Sequence, residues 1–130
     1  MMKIVDFKDT HVAKGLPELE RILLRRHGKG LNAFWLSHES QEYPTLSILV
    51  KGDLAALHYI PTEDEAGFRS AGKMPGLEPS GTTSFSMSEN PADDVEELND
   101  SILPFSVALS VAKEFFVSNE LPAAIEWLEL

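Results

Sequence analysis

The stretch Thr45-Leu-Ser-Ile-Leu-Val-Lys-Gly-Asp-Leu-Ala-Ala-Leu-His-Tyr-Ile60 decides the fold. Two apolar, β-rich runs, Thr45 to Lys51 and Leu54 to Ile60, flank Gly52-Asp53, the composition of a tight hairpin turn. An antiparallel pair at the centre of the chain is therefore predicted. Working outward, Leu31 to Ser37 (LNAFWLS) reads as a strand before this pair, and Met2 to Phe7 as the first strand of the chain. Gly67 to Ala71 and Thr82 to Met87 follow it with weaker patterns. In the latter, Thr83, Phe85 and Met87 alternate with Thr82, Ser84 and Ser86, so one face there is expected to meet water. Ile125 to Leu130 reads as a last strand.

Two segments carry helical signals instead. Gly15-Leu16-Pro17 opens the first, which the spacing of Leu16, Leu19, Ile22 and Leu23 extends towards His27, with Gly28 as its stop. The second is predicted over Ile102 to Ser118, capped by Asn99, Asp100 or Ser101, with Pro104 in its first turn. Phe105, Ala108, Leu109, Ala112, Phe115 and Phe116 give it a broad apolar stripe. The order of elements implies an α+β fold: a mostly antiparallel sheet of about six to seven strands with two helices packed on one face. At 130 residues, 43% of them hydrophobic and 25% charged, the chain is expected to form a single domain over residues 1 to 130.

The composition also bounds function. Without an apolar leader or a stretch long enough to span a bilayer, the chain is expected to be cytoplasmic, with no membrane partner. It has no cysteine, which removes disulfides, thiolate nucleophiles and Cys-based metal sites together. The net charge of −10 is unevenly placed. Residues 1 to 30 carry seven Lys and Arg against four Asp and Glu, whereas residues 31 to 130 carry four against seventeen. Such a field repels phosphate backbones and attracts basic proteins, so direct nucleic-acid binding is not expected.

Catalytic patterns are weak. Gly67 to Met74 nearly matches the phosphate-binding loop, but Met74 replaces the magnesium-ligating hydroxyl and Pro75-Gly76 stand where a helix should begin. His11, His27, His38 and His58 show no metal-ligand spacing. The best acid/base set is His38, Glu39 and Glu42, with His58 approaching across the sheet, and no nucleophile or oxyanion nest accompanies it. Trp35, Trp127, Phe34, Phe105, Phe115 and Phe116 are assigned to the core. No enzyme activity, cofactor or metal is expected.

The acids carry the functional argument. If the strands from Leu31 to Met87 form a simple meander, the connections 38 to 44, 61 to 66 and 88 to 100 fall at the same end of the sheet. They hold eleven carboxylates and no Lys or Arg. The expected partner-binding residues are Glu39, Glu42, Glu63, Asp64, Glu65, Asp93, Asp94, Glu96 and Glu97, facing a basic protein.

Ala33-Phe34-Trp35-Leu36, Tyr43-Pro44-Thr45-Leu46, Leu57-His58-Tyr59, Gly81-Thr82-Thr83, Pro104 to Leu109 with Ala112 to Phe116, and Trp127 to Leu130 together resemble the immunity protein family one of bacterial polymorphic toxin systems. The likeness runs from about residue 30 to the end. It implies a similar α+β fold and binding that occludes the active site of a cognate toxin, often a nucleic-acid deaminase, without catalysis. The family supplies no contact residues, and the chain itself is expected to be a monomer or weak homodimer. The alternative is a small-molecule-binding or self-associating α+β domain using the aromatic sheet face.

Overall fold

The computed structural model describes residues 1 to 130. Ten strands and two α-helices follow in the order β1 (Met2–Val5), β2 (Thr10–Ala13), α1 (Leu16–Leu23), β3 (Leu31–His38), β4 (Thr45–Lys51), β5 (Leu54–Ile60), β6 (Phe68–Ser70), β7 (Thr82–Phe85), β8 (Val95–Leu98), β9 (Ile102–Pro104), α2 (Phe105–Ser118) and β10 (Trp127–Glu129). The α+β class with a large antiparallel sheet is thus what the pattern of the sequence foretold. Strands pair in the order β10-β6-β5-β4-β3-β1-β2, with β9 beside β5, while β7 and β8 form a separate two-stranded sheet. Every pairing is antiparallel.

The central hairpin forms as its sequence dictates, with Lys51 opposite Leu54. Gly52 takes a φ of 59°, the conformation that the leading residue of such a two-residue loop needs and glycine adopts freely. At Gly67, φ is 88° and an added Cβ would collide with the carbonyl of Tyr59, so the tight return from β5 to β6 admits no side chain.

Alternation along the strands sorts the side chains onto two faces. Phe34, Leu36, Leu46, Ile48, Val50, Ala55 and Leu57 are fully buried on the first face, beneath both helices. α1 contributes Leu19, Ile22 and Leu23, and α2 contributes Phe105, Ala108, Val111, Ala112 and Phe115, each set spaced by three or four residues as a helical stripe requires. Arg26 ends α1 by donating from Nη1 to the Leu23 carbonyl at 2.7 Å, and its guanidinium lies 4.3 Å from the centre of the Phe105 ring. Asn119 ends α2 in the left-handed conformation, its N–H donating to the Phe115 carbonyl at 2.9 Å.

On the second face, Ala33, Leu49, Ala56 and Ile102 form one cross-strand row, because Ala33 pairs with Leu49, Leu49 with Ala56, and Ala56 with Ile102. Phe85 of β7 packs against this row, with Met87 and Val95 beside it. The β7–β8 hairpin therefore covers the half of the second face nearer Gly52.

Three expectations need correction, and one strand is an addition to them. Thr10 to Ala13, left unassigned between the first strand and helix, forms β2 and pairs with β1. The first helix ends at Leu23 rather than near His27, because Arg25 and Arg26 turn back onto its last carbonyls. Ile102 to Pro104 is strand rather than helix, and its pairing with β5 postpones α2 to Phe105 without any side-chain cap. Most consequentially, Thr82 to Phe85 leaves the meander, since β10 rather than β7 takes the free edge of β6. Its partner is β8, from the segment read as an acidic loop. Alternation on both strands supplies an apolar side, Phe85 and Val95, that finds cover only on the sheet.

Candidate interaction surface

β3 runs from the Gly52 end of the sheet to the opposite end, and Met2 pairs with His38 there, as Thr45 does with Ile60. The connections 38 to 44 and 61 to 66 consequently lie side by side. Glu39, Glu42, Glu63, Asp64 and Glu65 are all exposed on them. Thr62 Oγ1 donates to Glu65 Oε2 at 2.8 Å, and Thr45 Oγ1 donates to the Glu42 carbonyl at 2.5 Å, so short local bonds shape both loops.

The other four predicted acids lie elsewhere. Asp94 lines a cleft of about 520 Å³ at the Gly52 end, against Lys29 and Lys51. Asp93 accepts from Ser88 Oγ at 2.6 Å near the same cleft. Glu96 is exposed on β8 opposite Ser84, and Glu97 meets His58 Nε2 at 3.1 Å over the second face. The expected cluster of three loops is therefore a cluster of two. Its third member was dispersed when β7 left the meander: Asp93 and Asp94 lie towards the Gly52 end, whereas Glu97 and Asp100 meet His58 and Arg69 over the second face.

The acid/base set is also taken apart. His38 lies on the helix face, its ring edge-on to Phe115 at 6.5 Å, whereas His58 lies on the second face against Glu97. The near match to a phosphate-binding loop falls on β6 and the irregular chain after it, with no helix following Gly72. Asp6, Asp9 and His11 do bring possible metal-ligand atoms within 4.8 Å of one another. Their carboxylates already meet protein cations: Arg25 stands 3.8 Å from Asp6 and 3.5 Å from Asp9. Burial alone would raise the Asp6 carboxyl, but the backbone N–H groups of Asp9 and Lys8 and the His11 imidazole outweigh it and hold it below its ordinary value. The arrangement ties the β1–β2 turn to the end of α1.

What sequence reasoning missed is the open half of the second face. Val5, Trp35, Ser47, His58 and Arg69 form the next row, whose His58 and Arg69 are met by Glu97 and Asp100, so that the open part is Val5 and Trp35 together with Lys3, Thr45 and Ile60 beyond them. A shallow hollow of about 320 Å³ opens here, with Trp35 on its floor and Tyr43 and Glu42 at its edge. The signal was available: Ala33, Trp35 and Ser37 alternate with Phe34 and Leu36, as Thr45 and Ser47 do with Leu46 and Ile48.

The architecture is that of a two-layer α+β protein whose sheet is covered by helices on one side and half covered on the other, with unpaired acids at the open end. No helix is long and apolar enough to cross a membrane. No family model matches the chain. It is 28% identical over 125 residues to the double-stranded DNA deaminase immunity protein of Burkholderia cenocepacia (strain H111), an alignment covering 96% of this chain and 97% of that protein. The similarity includes residues before position 30 as well as the later motifs.

Proposed function

We propose that this chain is an immunity protein that binds and neutralises a cognate bacterial toxin by covering its active site, with no chemistry of its own. The carrying observation is the similarity along nearly the whole chain to a protein named for immunity to a double-stranded DNA deaminase. By that likeness the toxin is a nucleic-acid deaminase, and the finer placement in immunity protein family one rests on the motifs quoted above. Glu39, Glu42, Glu63, Asp64 and Glu65 support a basic partner, since they gather exposed negative charge at one end of the sheet. A protein that acts on DNA needs a positively charged surface, and an acidic inhibitor competes for it.

The test is co-expression in a bacterial host with the product of the adjacent gene. The chain should restore growth and co-purify with that product, more tightly at low salt. Failure of both rescue and co-purification would remove the neutraliser reading.

A further inference from the structure

We infer that the hollow over Trp35 is the anchoring subsite for the partner, taking one large apolar side chain from a basic segment. This rests on the neutraliser reading and adds to it the place and chemistry of the central contact. Two observations carry the inference, and a third supplies its sharpest test.

The first is that the hollow is built from strands rather than loops. Val5, Trp35, Thr45 and Ile60 come from four adjacent strands of the sheet and are each half-buried, so their positions are set by the ladder before any partner arrives. Trp35 also packs against the cluster beneath β7–β8, which holds its indole in place while leaving part of it open. A rigid, partly exposed aromatic on a concave floor is the usual form of an interface anchor.

The second is the distribution of unpaired charge. Elsewhere some acids meet an internal cation, Glu89 with Lys8, Asp100 with Arg69 and Glu20 with Lys113, while others such as Glu78, Glu96 and Glu126 stand alone without gathering at one place. Glu42 at the edge of the hollow and Glu63, Asp64 and Glu65 on the neighbouring loop have no such cation. A Lys or Arg on either side of the anchoring side chain would supply it. The same rim repels phosphate, which argues for a protein segment over nucleic acid or an anionic membrane.

The third is the lone base. Lys3 is the single cation lining the hollow, half-buried beside Ser37 on the outer side of Trp35. It opposes a basic visitor, so its removal makes a prediction of unusual sign.

The probe is the purified product of the adjacent gene, titrated against the full chain and its variants, with the melting temperature of each variant recorded alongside. Thr45→Arg places positive bulk in the hollow and should weaken binding at least tenfold without lowering the melting temperature by more than a few degrees. Lys3→Glu should tighten binding several-fold, more so at low salt. The double variant Asp93→Lys, Asp94→Lys, at the opposite end, should leave affinity within about twofold. Unchanged binding by Thr45→Arg, or weakened binding by Lys3→Glu in a folded variant, overturns the anchor while leaving the neutraliser reading intact. A wild-type chain that does not bind the product at all overturns both.

Discussion

The two faces of the central sheet are made from the same strands and differ by one residue of register. On the helix face, Phe34, Leu36, Leu46 and Ile48 are completely buried. One position along, Trp35 and Thr45 are only half-buried, and the buried Ser37 and Ser47 are polar. The helix face has long elements to cover it, α2 alone spanning Phe105 to Ser118. The second face has only the short β7–β8 hairpin, with four residues in each strand, which leaves the end beyond Trp35 open. Burial pressure has made the first face largely apolar, with Asn32 and His38 among its few polar members, and partial cover permits the second to keep an aromatic floor with a polar margin.

The largest expected effect breaks the comparison from the helix face. Phe34→Ala removes a fully buried ring from between the sheet and the helices and should cost about 3–5 kcal/mol, read as a fall of roughly 10 °C or more in melting temperature. A fall of only a degree or two would mean that the two faces do not differ in energetic weight.

A smaller effect concerns one of the buried polar groups, Asp6. The Asp6 side chain is fully buried and its carboxyl is held below the ordinary value of 3.8. A lowered carboxyl contributes stability that is present above the unfolded value and lost as pH falls through the folded one. Asp6→Asn should therefore be less stable than wild type at neutral pH, and the gap should close as pH drops below about 3.8. Melting temperatures of both proteins across pH 2 to 7 check this. A gap that is constant with pH would show that the turn depends on shape rather than on the charge of Asp6.

The smallest effect sharpens the second face. Glu97 and His58 pin β8 to the sheet, with His58 Nε2 at 3.1 Å from one carboxylate oxygen and 3.3 Å from the other. Glu97→Ala removes the acceptor and should cost about 1 kcal/mol, the net worth of one hydrogen bond. The loss should be local. Amide exchange should accelerate in β7 and β8 while the central strands stay protected, and uniform acceleration throughout the sheet would argue against a separable hairpin layer.

The central strands were legible because each carries its own signal. Gly52-Asp53 specifies a turn locally, and the seven-residue runs beside it are too short for helices and too apolar for loops. β2 was not legible because Thr10 to Ala13 is short, half polar and at an edge, where one neighbour suffices. β8 was hidden by its acids: Glu96 and Glu97 read as solvent-facing, and the alternation of Val95 with them becomes a strand only when Thr82 to Phe85 offers a partner. Of the nine predicted interface acids, the five on the connections 38 to 44 and 61 to 66 could be grouped because they flank neighbouring strands of a local meander. The remaining four depended on a long-range choice.

The sequence by itself determined the α+β class, the three central strands and the apolar stripes of both helices, since periodicity and turn chemistry act over a few residues. Only the tertiary structure decided which strand would occupy the edge of β6. Trp127 to Glu129 takes it, and β7 is sent across the second face with the acids that follow. That outcome is a competition between segments far apart in the chain for one row of hydrogen bonds, and no local pattern records its result. The hollow over Trp35 follows from it, being the part of the sheet that the displaced hairpin is too short to reach.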